Sequence, residues 1–162
     1  MKQFEIERKF LVEYPDISRL KSEFECQKIE IVQTYLESDG GDEIRVRSCK
    51  IGNETIYFHT VKRRVNDVKR EEIERRISID EYTDFLKAAD KSKQPIRKTR
   101  YSFTYIGRCF EIDIYPFWSD KAIVETELDD VNEEIIFPEI IRVIKEVTGD
   151  EAYKNASLAA MQ

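Results

Sequence analysis

The chain has 162 residues, 27 of them basic and 33 acidic, for a formal net charge of −6, while 41% are apolar and 11% aromatic. That apolar content excludes a charged disordered tail, and the length suits one domain, 1–162, that buries about two-thirds of the surface of its unfolded chain. The negative sign argues against general binding to nucleic acid or to anionic membrane surfaces. No stretch approaches the ~20 apolar residues of a membrane helix, and the charged start from Met1 to Phe10 lacks the apolar run of a signal peptide. A cytoplasmic protein is the expectation. Cys26, Cys49 and Cys109 are odd in number and show no CxxC spacing, which speaks against a disulfide framework or a thiolate metal site. The lone His59 excludes a histidine metal site or a Ser-His-Asp triad.

In chain order, alternation of apolar and charged residues predicts strands at 4–10, 31–37, 43–49, 55–62, 70–79, 97–106, 108–115 and 122–129. Turn chemistry at Ser38-Asp39-Gly40-Gly41, Gly52-Asn53, Val65-Asn66-Asp67 and Gly107 predicts antiparallel hairpins in a single meander. Asp16 suits the cap of a helix with Ile17, Leu20 and Phe24 as its stripe, and Asp80 the cap of a second with Phe85, Leu86 and Ala89. Pro138 suits the first turn of a third, bearing Ile140, Ile141, Ile144 and Val147 and ended by Gly149. A short last helix is expected around 157–161.

Side chains at i and i+2 on a strand share a face, roughly 6.6 Å apart. Charged or polar pairs recur at that spacing: Glu5 and Glu7 with Lys9, Arg45 with Arg47, Thr60 with Lys62, Arg70 with Glu72 and Glu74, Lys98 with Arg100, Glu111 with Asp113, Glu125 with Glu127. A solvated outer face mixes signs, whereas here each pair beyond the first strand and Arg70 is of one sign. Rolled into a barrel, these residues would line a lumen. Its eight acids are Glu5, Glu7, Glu72, Glu74, Glu111, Asp113, Glu125 and Glu127, and its seven bases are Lys9, Arg45, Arg47, Lys62, Arg70, Lys98 and Arg100. Such a lumen suits a polyanion accompanied by hard divalent cations. His59 falls out of phase with Thr60 and Lys62 and should point outward. Lys62-Arg63-Arg64 reads better as a hairpin than as an RNA-binding loop, and Trp118 as a packing residue.

The ExExK run Glu5-Ile6-Glu7-Arg8-Lys9, followed in order by Gln33-Thr34-Tyr35-Leu36, the pairs above and the ending from Gly149-Asp150 through Tyr153, Asn155 and Leu158, resembles the CYTH superfamily, the triphosphate tunnel metalloenzymes. The resemblance runs from 5 to about 158. It implies an α+β fold in which an eight-stranded antiparallel β-barrel carries helices on its outside. It also implies a metal-dependent triphosphatase with Mg²⁺ or Mn²⁺, two per site, and inorganic triphosphate as substrate. Arg45, Arg47, Lys62, Arg70, Lys98 and Arg100 would bind the phosphates. Glu5, Glu7, Glu72, Glu74, Glu111, Asp113, Glu125 and Glu127 would hold the metals, with Glu72, Glu74, Glu111 and Asp113 alternatively orienting the bases. Glu125 or Glu127 would take the proton of the attacking water, and Lys9 is either a phosphate ligand or an orienting ion-pair partner. A nucleoside or thiamine triphosphatase, an adenylate cyclase, a non-catalytic polyphosphate-binding module and a homodimer stay open at this point.

Overall fold

The computed structural model describes residues 2–160, apart from the side chains at 2, 3, 5 and 156. Nine strands are present: β1 (Lys2–Glu13), β2 (Gln27–Tyr35), β3 (Glu43–Ile51), β4 (Glu54–Arg64), β5 (Lys69–Ile77), β6 (Ile96–Tyr105), β7 (Arg108–Ile114), β8 (Lys121–Leu128) and β9 (Val143–Glu146). Three helices join them, α1 (Ile17–Glu23), α2 (Ile79–Leu86) and α3 (Asn155–Ala159), with a 3-10 turn at Glu151–Tyr153. The strands form one antiparallel sheet in the order β5-β4-β3-β2-β6-β7-β8-β1-β9, and a further pairing of β5 with β1 closes eight of them into a barrel. Closure removes the free edges that an open sheet would expose.

The expected eight-stranded barrel is present, but the single meander is not. β2 to β5 run as one meander and β6 to β8 with β1 as another, joined where β2 meets β6 and β1 meets β5. The reason lies in the two connections that carry α1 and α2. Each helix buries its apolar side on the outside of the barrel and returns the chain to a non-adjacent strand. Asp16 caps α1, accepting a hydrogen bond from the Arg19 amide at 3.1 Å, and Leu20 is wholly buried against Phe103 and Phe110. α2 is capped by Ser78 and not Asp80: Ser78 and Glu81 exchange hydrogen bonds in a capping box, so the helix begins two residues earlier. Its Tyr82, Phe85 and Leu86 pack on Val46 and Ile77. His59 does point outward, stacked on Phe85 at 4.5 Å.

The third helix is a correction. Residues Val143–Glu146 form β9, paired with Phe10, Leu11 and Val12 of β1. β5 covers only the first half of that side of β1, up to Ile6, so the second half needs another partner. The β-branched Ile140, Ile141, Val143, Ile144 and Val147 favour extended backbone over helix. Ile140, Ile141 and Val147 are buried as expected, whereas Ile144 is 52% exposed. The last helix begins at Asn155, two residues before its expected start, and Met161 lies outside the described residues. No helix among the described residues is long and apolar enough to cross a membrane.

Candidate active site

In a barrel, period two decides which side chains face inward. A charged central cavity of about 240 Å³ is lined by all seven of the expected bases and by Glu7, Glu72, Glu74, Glu111, Glu125 and Glu127. The side chain of Glu5 lies outside the described residues; its backbone pairs with Arg70. Asp113 does not reach the cavity: it is wholly buried behind Lys98 and Arg100. Toward the end of the barrel where β1 finishes, the inward positions turn apolar. Leu11, Ile96, Tyr115 and Ile123 cluster there with Leu158 and Ala159 of α3, and Tyr115 donates to Asn155 Oδ1 at 2.7 Å. At that end the lumen is closed in part, on the side of β1, β6 and β8, by a hydrophobic plug that also carries Trp118.

Several of the opposite charges meet across neighbouring strands. Lys62 stands opposite Glu72 in register and lies 3.3 Å from it. Arg47 reaches Glu74 at 2.9 Å, and the buried Thr60 hydroxyl donates to the same carboxylate at 2.9 Å. Lys9 pairs with Glu125 at 3.5 Å and donates to the Tyr153 carbonyl at 3.3 Å. Asp113 accepts from Lys98 Nζ at 2.8 Å and from Arg100 Nε and Nη2 at 2.7 and 2.9 Å, so both of its oxygens are engaged. Arg100 also reaches Glu111 at 3.2 Å.

Burial and neighbouring charge shift these groups in different directions. Burial alone would raise the Glu125 carboxyl, but Lys9, Arg100, Lys98 and Lys62 together hold it well below the ordinary carboxylate range. Burial raises Glu111, only partly offset by Arg100. It pushes the Lys98 ammonium down to about 8 against the pull of Asp113. Arg47 is lowered by burial and by its neighbour Arg45.

Two observations bear on what the cavity could hold. First, Arg45 Nε, Arg47 Nε and Gln33 Oε1 are buried without a hydrogen-bond partner among the described residues. Buried polar groups are nearly always satisfied, and two buried guanidinium N–H groups on adjacent lumen positions call for an anionic oxygen. Second, Glu7 stands directly opposite Glu127 across β1 and β8, and Glu111 directly opposite Glu125 across β7 and β8. Like charges so placed destabilise a sheet, and clustered carboxylate oxygens are the donor set of hard cations such as Mg²⁺ or Mn²⁺. No group of three such residues among the described ones closes on a single ion site. Paired carboxylates of this kind could hold a divalent cation only if it completed its shell with other oxygens.

The expected site residues missed Glu43, Lys154 and the roles of Gln33 and Tyr35 as lining residues. Glu43 was open to the same period-two reading, since it shares the phase of Arg45 and Arg47 on β3. It lies 3.6 Å from Arg45. Burial would raise its carboxyl, but Arg45, Lys62, Arg70 and Lys9 keep it low. Lys154 lies outside any strand, where that periodicity is silent.

The CYTH domain model matches residues 3–155. An inorganic triphosphatase of Acetivibrio thermocellus is 29% identical over 154 residues, 95% of this chain and 92% of that protein. A solved inorganic triphosphatase structure is 31% identical with a TM-score of 0.58, covering 96% of this chain and 93% of that one. A Pyrococcus horikoshii protein, 20% identical with a TM-score of 0.60 over 80% of this chain and 81% of its own, shares the fold. With the match spanning nearly all of the barrel and its inward pairs, the chain belongs to the CYTH domain family.

Proposed function

We propose that this protein is a metal-dependent triphosphatase that cleaves the terminal phosphoanhydride of inorganic triphosphate within the barrel. The observation that carries the reading is the pair of orphaned buried guanidinium N–H groups of Arg45 and Arg47, set in a wall of bases that faces a wall of carboxylates. Arg45, Arg47, Lys62, Arg70, Lys98 and Arg100 bind phosphate oxygens and hold the chain in line. Asp113, with both oxygens engaged, keeps Lys98 and Arg100 aimed into the lumen and is an orienting residue rather than a metal ligand. Glu7 and Glu127, with Glu5 two residues before Glu7 in the sequence, and Glu111 with Glu125, would hold Mg²⁺ or Mn²⁺. Glu72 and Glu74 steer Lys62 and Arg47. A bound cation of this kind neutralises phosphate oxygens and makes water a better nucleophile at neutral pH. Glu125, kept deprotonated by four cations, is a weak base, so Glu127 is the better acceptor for the proton of the attacking water. Lys9, tied to Glu125 and to the Tyr153 carbonyl, orients Glu125 from one side of the cavity.

The test is a panel of triphosphate, pyrophosphate, ATP and thiamine triphosphate with Mg²⁺ or Mn²⁺, read by free-phosphate release. Triphosphate should be the best substrate, and Glu127→Gln should abolish release while its thermal melt matches that of the wild type. A near wild-type rate in that variant removes Glu127 from the chemistry. Tight binding of triphosphate without any release would make the protein a holder of polyanions.

A further inference from the structure

Two further cavities adjoin the lumen and share lining residues with it. One, of about 260 Å³, is lined by Gly41, Glu43, Lys62, Arg64, Arg70 and Lys154. It lies at the end of the barrel where β1 and β4 finish and β5 begins, the end that the hydrophobic plug closes in part, on the β3–β5 side away from the plug residues of β1, β6 and β8. The other, of about 400 Å³, includes Arg108, Glu111, Glu127, Asp129 and Glu133, at the opposite end, where β8 finishes and β7 begins. The first therefore presents four bases and one carboxylate, the second one base and four carboxylates. The two ends of the lumen carry opposite charge.

The basic end is held in shape by the C-terminal segment. Gly149, at φ +72°, passes so close to the β4–β5 hairpin that a Cβ there would meet Asp67 Cβ at 3.0 Å. Glu151 ties Arg64 at 3.5 Å to Lys154 at 2.8 Å across that junction. Arg64 also bonds Asp67 and the Asn66 carbonyl. Asp67 and Glu151 are both 71% exposed at their side chains. Water therefore screens these two acids more than it screens the recessed Lys62. The whole molecule carries −6 and repels a polyanion at long range, so productive approach needs a local reversal of that field.

We propose that triphosphate enters the lumen by the Lys62–Arg64–Arg70–Lys154 end, that Arg64 is a steering residue at its rim, and that the acidic end turns the polyanion away. This rests on the triphosphatase reading. Arg64 sits outside the phosphate clamp, so its charge should affect arrival and not chemistry. At low ionic strength Arg64→Gln should lower kcat/KM for triphosphate by about threefold and Arg64→Glu by about tenfold, with kcat unchanged. The salt dependence of kcat/KM should flatten in Arg64→Glu, and Arg64→Lys should restore both the rate and the salt slope. Asp129→Lys, at the other end, should leave kcat/KM within twofold of the wild type. Unchanged kinetics in Arg64→Glu would overturn the proposal. So would a gain in Asp129→Lys matching the loss in Arg64→Glu, since net charge alone would then govern approach. If the wild type releases no phosphate from triphosphate, the functional reading fails instead. Stopped-flow association of triphosphate with the wild type and Arg64→Glu then decides the side of approach by itself.

Discussion

Replacing Asp113 by Asn keeps the shape of the side chain and removes its charge. The carboxylate is wholly buried and accepts three charge-assisted bonds of 2.7–2.9 Å from Lys98 and Arg100. Removing one partner of such a group leaves buried cations uncompensated, at a cost of about 3–5 kcal/mol. Against a total stability of about 5–15 kcal/mol, that is a large loss. For a chain of this length it corresponds to a Tm lower by about 6–20 °C. Guanidinium unfolding should show a lower midpoint with an unchanged slope. Triphosphate would bring negative charge back to Lys98 and Arg100, so it should raise the Tm of Asp113→Asn more than that of the wild type. A loss under about 1 kcal/mol, or a variant whose only defect is a higher metal requirement, would refute the orienting role and return Asp113 to the metal ligands.

The Lys98 ammonium, pushed down to about 8, makes two further expectations. KM for triphosphate should rise as pH passes about 8 and Lys98 loses its proton, and Lys98→Arg should flatten that limb; a limb unchanged in the variant assigns it to another group. Between about pH 8 and the ordinary lysine value the unfolded chain holds a proton that the folded one does not, so this residue's contribution makes stability rise with pH in that window, which urea titrations at pH 8 and 10 would measure. Arg47→Ala should raise KM by about tenfold or more, since it removes an orphaned N–H aimed at the anion. An unchanged KM together with an unchanged kcat would take Arg47 out of the clamp.

Period two exposed nearly the whole inner face because a closed barrel leaves an inward side chain nowhere else to go: all seven of the expected bases line the cavity. The same rule says nothing of depth along the strand, and so placed Asp113 with Glu111 although one is buried behind the bases and the other lines the cavity. It also says nothing of strand order. The pairing of β1 with β5 follows from where α1 and α2 return the chain, a packing outcome that no local pattern encodes. The segment 138–147 departs from its expected helix for a related reason: its apolar spacing satisfies a helix, but the uncovered half of β1 and the run of β-branched residues decide for a strand at Val143–Glu146. Lys154 reaches the site from an irregular segment, where neither period applies.

The order of strands around the barrel explains why the charges are sorted by strand at all. Going round from β1, the sequence β5, β4, β3, β2, β6, β7, β8 sets β3 across the lumen from β8. β3 carries Arg45 and Arg47 and its neighbour β4 carries Lys62, while β8 carries Glu125 and Glu127 between Glu7 of β1 and Glu111 of β7. Mixing signs along each strand would have let every ion find a partner on its own wall, giving a stable lumen that binds nothing. Sorting them instead leaves Arg45 and Arg47 with unsatisfied N–H groups on one side and opposed carboxylates on the other. On the triphosphatase reading, an anion with its own cations between them would complete both walls at once, and the buried N–H groups and the opposed carboxylates would each gain a partner from it.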